Sequence, residues 1–117
     1  LKNSLPPDPP NKGLIPAYRH IQDLFGLIYL EGRGNYTLVY LQNSLNPLLV
    51  SKTLKYFEQQ LPDFVRISKS VLINPRFISR VSRQGSKLLS IELGADISFS
   101  VARRRIDLVL QRLAETS

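Results

Sequence analysis

The residues of this chain best suited to chemistry are cations, and the chemistry they suit is recognition of a polyanion. Three arginines stand in a row, Arg103, Arg104 and Arg105, and one lysine, Lys69, stands between Ser68 and Ser70. With Arg66, Arg76, Arg80, Arg83 and Lys87 they make nine basic residues between positions 66 and 105, against two acids, Glu92 and Asp96. That stretch carries the whole formal net charge of +7, because the rest of the chain is neutral. Positive charge gathered in this way is the footprint of a surface that meets a polyanion. A solvated, solubilising face is the plainer reading of the same charge.

Position sharpens the case for two of these groups. The pattern Ile106, Val109, Leu110, Leu113 predicts a closing helix over Ala102–Ala114, with the arginine triplet in its first turn. Cations are disfavoured at that end of a helix dipole by about 0.3–1 kcal/mol each. Arginines beside free backbone N–H groups there make a site for an anion such as phosphate, unless they lie over the sheet or pair with Asp96 and Asp107. Lys69 falls on the same strand parity as Val65, Ile67, Val71 and Ile73. A lone lysine is costly to bury, so the strand is expected to turn or bulge at Ser68-Lys69-Ser70 and expose the amine. A lysine flanked by hydroxyls suits backbone and groove contacts, and it also suits an ordinary turn.

Other chemistries find little support. There is one histidine, His20, and no cysteine, so acid–base chemistry has few titratable groups to bring together and thiolate-metal sites lack their ligands. The acids are scattered, with no spacing that suggests a carboxylate dyad or metal ligands. Gly32-Arg33-Gly34 lacks the third glycine and following helix of a phosphate cradle; it reads as a tight turn that projects Arg33 and Asn35. No catalytic residue, metal or cofactor is expected, and the chain is not read as an enzyme.

The elements that must position the cations are mostly strands. Leu24–Leu30, Tyr36–Leu41 and Leu48–Val50 are short apolar or β-branched runs, broken at Gly32–Asn35 and Asn43–Pro47. Ser51 is a candidate N-cap for a short helix with Leu54, Phe57 and Leu61 on one face, stopped by Pro62. Phe64–Ile73, Phe77–Val81, Leu88–Leu93 and Ile97–Val101 complete seven strands, the last three separated by turns at Gln84-Gly85-Ser86 and Gly94-Ala95-Asp96. Tight connections imply antiparallel pairing. The expected fold is mainly β with antiparallel sheets, one short interior helix and a C-terminal helix.

At 117 residues the chain is long enough for one domain with a modest core. Residues 1–16 hold five of the eight prolines and read as a linker, leaving 17–117 as the domain. The chain begins at Leu1 and contains no methionine, which points to a piece of a longer or processed protein. No run approaches the roughly 20 apolar residues needed to cross a bilayer, and no signal-peptide pattern precedes the domain. These features fit a cytoplasmic protein without requiring one.

Several segments resemble one family. Ile28-Tyr29-Leu30-Glu31-Gly32 with Gly34-Asn35-Tyr36-Thr37, and Leu49–Lys55 with Leu61-Pro62, are similar to the opening half of LytTR-type DNA-binding domains. Phe64-Val65-Arg66-Ile67-Ser68-Lys69-Ser70-Val71-Leu72-Ile73-Asn74 resembles the family's F-x-R-x-H-x-S-x-x-V-N signature, and Ile97–Ser100 its I-P-V-S-R-R close. Ser68 stands where the signature has histidine, and Val101-Ala102 displace the basic residues that follow the closing serine. The resemblance implies stacked antiparallel sheets whose loops enter successive major grooves of direct-repeat DNA, with bending. It implies small sheets stacked in an elongated domain, with contacts at Asn35, Tyr36 and Thr37, at Lys69 and at the turn leading into Arg103; the turn and helix-dipole readings add Arg33 and Arg104 to these candidates. Arg66, Arg76, Arg80 and Arg83 are candidate phosphate contacts, with a structural role for Arg66 as the alternative. The implied partners are double-stranded DNA, an upstream receiver or sensory domain in the same chain, and a possible second copy on the DNA. The implied setting is a bacterial two-component response regulator. An RNA-binding β module, with Tyr36 and Tyr40 as stacking platforms, and a basic adaptor for an anionic membrane or protein are the alternatives.

Overall fold

In the computed structural model, which describes residues 26–42, 44–94 and 96–116, the β-rich segments pair into two antiparallel sheets. The first contains β1 (Leu27–Arg33), β2 (Tyr36–Leu41), β3 (Leu48–Val50), β4 (Val65–Arg66) and β5 (Val71–Ile73), in the order β3-β2-β1-β5-β4. The second is β6 (Ile78–Gln84), β7 (Leu88–Leu93) and β8 (Ile97–Ser100) in sequence order. Helix α1 (Leu54–Gln60) follows β3, and α2 (Ile106–Thr116) closes the described chain. The proline-rich segment, His20 and the start of the first expected strand lie outside the described residues.

The five-stranded sheet is the middle layer. One face carries Leu30, Val39, Val50 and Leu72 and packs on Leu54, Phe57 and Leu61 of α1 and its end. On the other, Val65, Val71 and Ile73 pack on Leu89, Ile91 and Leu93 of the second sheet and on Ile106 and Val109 of α2. Val71, Leu72 and Ile73 are therefore all buried, as expected of a short strand covered on both sides. Tyr29 extends the second core: its ring stacks on Tyr40 at 4.2 Å and meets Phe99 edge-on at 4.9 Å. Burial pushes its hydroxyl well above the ordinary phenol range, with Tyr40 and Glu31 adding to the effect.

The expected strands appear, with corrections at their ends. Eight are found among the described residues, because Phe64–Ile73 is two strands joined by a bend at Ser68–Ser70. The parity conflict at Lys69 is resolved by that break: Ile67 and Val71 stay buried, and Ile67 N donates to Val71 O at 3.0 Å across it. Gly32 and Arg33 belong to β1, and only Gly34 and Asn35 make the turn, with Gly34 at φ +63°. Gly32 serves packing instead, since a Cβ there would lie 3.1 Å from the Leu54 Cβ. Thr53, not Ser51, caps α1: its hydroxyl accepts from Tyr56 N at 3.2 Å. The arginine triplet forms a 3-10 turn ahead of α2 rather than the helix's first turn.

Asn74 ties the far end of β5 to β1 and to the turn that follows it. It is 3% exposed, donates its side-chain amide to Leu27 O at 2.7 Å, and accepts from Arg76 N at 3.0 Å. Removing it strands a buried carbonyl, so Asn74→Ala is expected to lower unfolding free energy by about 1–3 kcal/mol, read as a shift of the urea midpoint at unchanged m-value.

Candidate nucleic-acid interface

Strand directions decide which loops meet. Glu31 of β1 stands opposite Val71 of β5, and just beyond this pair Gly32 N donates to Ser70 O at 2.8 Å. The β1–β2 turn and the Ser68–Ser70 bend therefore leave the sheet at the same end. β3 ends there too, because Val50 faces Thr37. The two sheets are joined at this end by the chain leaving β8. Val101 N donates to Leu89 O at 2.8 Å, and Ala102 N to Ile67 O at 2.9 Å. The second of these bonds sets the arginine turn directly beside the lysine bend.

The result is one cationic concavity. Lys69, Ala102, Arg103, Arg104 and Arg105 line an open hollow of about 800 Å³. Lys69, Arg103 and Arg104 are exposed, and Arg105 is half-buried. The 3-10 turn has no side-chain cap. No ion pair joins the triplet to Asp96 or Asp107 among the described residues, so the charges are available to an incoming anion. Arg105 was the triplet member left out of the expected contacts; its place in the run was the signal that could have included it.

The β1–β2 turn adds polar and aromatic groups at the same end. Asn35 and Tyr36 are exposed, and Arg33 leans toward Glu31 at 3.5 Å with 63% of its side chain open. Thr37 is a correction. It is fully buried, and its hydroxyl donates to Lys52 O at 2.7 Å, so it braces the turn against the segment after β3 and cannot reach outward. That bond brings exposed Lys52 into the cluster, its ammonium 5.1 Å from the centre of the Tyr56 ring. Lys52 had no sequence signal, because only the fold carries it beside Thr37.

The four candidate phosphate arginines divide. For Arg66 the structural alternative applies: it lies on the α1 face of the sheet, with Nη1 2.7 Å from Glu58 Oε1, Nε donating to Ser68 O at 2.9 Å, and Nη2 donating to Lys69 O. All three nitrogens are engaged by protein. Arg76 sits in the 3-10 turn after Asn74, at the opposite end of β5 from Lys69. Arg80 stands opposite Glu92 on the outer sheet. Arg83 is nearer the cluster: it faces Leu89, the residue bonded to Val101, and its Nε donates to Gly85 O at 3.0 Å. The same hairpin carries exposed Lys87. No three acidic or histidine side chains among the described residues converge to hold a metal ion, and no helix there is long and apolar enough to cross a membrane.

Comparison with known proteins gives a family and a fold. Residues 20–114 match the model of a family described as the LytTr DNA-binding domain. Among solved structures, the LytTr DNA-binding domain of a Bacillus cereus protein named as a methyl-accepting/DNA response regulator superposes with a TM-score of 0.67. The two share 18% identity over 77% of this chain and 83% of the other, so the likeness is one of fold. No curated protein sequence gives a significant match.

The role assigned to Thr37 has a direct check. Thr37→Val keeps the volume but leaves Lys52 O without its donor, at an expected loss of about 1–2 kcal/mol of stability by thermal or urea unfolding. An interface residue would leave stability unchanged.

Proposed function

The chain belongs to the LytTR family of DNA-binding domains, and from that membership we propose that it is the output domain of a bacterial transcriptional regulator, reading double-stranded DNA in a sequence-specific way. The observation that carries this reading is the shared concavity of Lys69 and Arg103–Arg105 at the loop-bearing end of the sheet. Three protrusions converge there: the turn with Arg33, Asn35 and Tyr36, the bend with Lys69, and the turn with Arg103 and Arg104. Lysine and arginine neutralise phosphates and fix the register of the domain. Asn35, Arg33 and Lys69 offer the donors and acceptors that base edges in a major groove can distinguish. Arg83 and Lys87 on the β6–β7 hairpin extend the basic surface toward flanking phosphates. Loops that span more than one groove favour direct repeats about one helical turn apart, with the duplex bent to meet them. An upstream receiver or sensory module in the same chain, and a second copy on the second repeat, complete the regulator.

An RNA-binding module would need open aromatic rings on a sheet face. Tyr36 is 48% exposed, but Tyr40 packs on Tyr29 and hydrogen-bonds Glu31. One platform of the two remains, which favours the duplex reading.

Selection of bound duplexes from a random pool is expected to return two short repeats about ten base pairs apart; recovery of random sequence would defeat the specificity. For the selected duplex, log Kd against log salt is expected to be steep, and each of Lys69→Ala and Arg103→Ala to reduce the slope by about 0.9 without changing the melting temperature. A salt-independent Kd would defeat the reading.

A further inference from the structure

The bend that presents Lys69 is held by a side chain that has no reason to touch DNA. We propose that Arg66 and Glu58 form a positioning device for the Lys69 contact: Glu58, on α1, aims the Arg66 guanidinium, and the guanidinium fixes the bend by its own backbone. The proposal rests on the duplex-binding reading above.

The geometry is specific. Arg66 is the last residue of β4 and stands opposite Leu72, on the face that α1 covers. Its Nε donates to Ser68 O at 2.9 Å and its Nη2 to Lys69 O. Two consecutive carbonyls of a segment outside the sheet ladder are thus gathered by one planar fork. Nη1 is held by Glu58 Oε1 at 2.7 Å, and the Arg66 side chain is 16% exposed. The other hydrogen bonds at the bend among the described residues run from Ile67 N to Val71 O, from Ala102 N to Ile67 O, from Ser70 N to the Ser68 hydroxyl at 3.3 Å, and from Gly32 N to Ser70 O. None of these holds the carbonyl of Lys69 itself. The route from Glu58 to the lysine is therefore two contacts long, carboxylate to guanidinium and guanidinium to the Lys69 carbonyl, and ends in the lysine's own side chain.

Charge alone gives the opposite expectation. Glu58 is an acid on a domain of net charge +7, and deleting an acid strengthens long-range attraction to DNA. A positioning role makes the deletion weaken binding, because the bend loses the fork's anchor. The two accounts differ in sign. They differ again between two substitutions of equal charge: Gln at position 58 keeps an oxygen that can accept from Arg66, and Ala does not.

The experiment measures Kd of the full chain and its variants for the selected duplex at one salt concentration, with unfolding midpoints recorded alongside. Glu58 is partly exposed on a short helix, so Glu58→Ala is expected to fold. Its affinity is expected to fall about threefold, and Glu58→Gln to recover most of the loss. In a Lys69→Ala background Glu58→Ala is expected to have no further effect, because the two act through one contact. A purely structural role would give equal losses in both backgrounds and would overturn the proposal. Equal or tighter binding by both position-58 variants would overturn it too, leaving the duplex reading intact. Failure of the unsubstituted chain to bind any duplex would instead remove the reading on which the proposal stands.

Discussion

The structure turns on one incompatibility, between a strand buried on both sides and a lysine in its middle. Val65, Ile67, Val71 and Ile73 all enter the core beneath the second sheet, and continuing the strand would carry Lys69 in with them. An unpaired ammonium there would cost more than the ladder bonds it would preserve. The chain instead reverses through Ile67–Ser70 and comes back as the antiparallel neighbour of β4, with Ile67 and Val71 joined across the turn. β4 and β5 are short for this reason, and Arg66 becomes a strand end whose guanidinium can reach back to the bend. Ile67 O, released from strand pairing, accepts Ala102 N instead and fixes where the arginine turn begins. The cationic hollow is in this sense the outward side of a packing solution.

Much of this was legible in the residues. Alternating apolar parity located the break at Lys69 before any contact was known, because the physics of burying a charge is local to the strand. The hairpin strands, the interior helix and the closing helix follow from periodicity and punctuation in the same way. The mainly β fold and its antiparallel pairing follow from the short connections, and the family, with the small stacked sheets it implies, follows from the order of its motifs.

What could not be read depends on contacts between distant segments. Thr37 looked like part of an exposed turn, yet it points inward because the carbonyl it satisfies, Lys52 O, lies fifteen residues on. The structural role weighed for Arg66 had no visible partner until the fold brought Glu58, eight residues before it, alongside. Gly32 read as a turn residue, whereas its bare Cα answers the approach of Leu54 across the layer. Thr53 displaced Ser51 because two caps were chemically equal and only the exit of β3 chose between them. Each error arises where a side chain's neighbour is set by topology, which strand pairing fixes and local pattern does not.

The hydrogen bond from Ala102 to Ile67 also has a mechanical meaning. It couples two loops from separate parts of the chain into a single stiff body, so neither can shift to suit a partner without the other. On the proposed duplex reading, a jaw of this kind would have little give and would leave any misfit to the duplex. Discrimination would then extend to base steps that no side chain reaches, because the ease with which each step yields enters the binding energy.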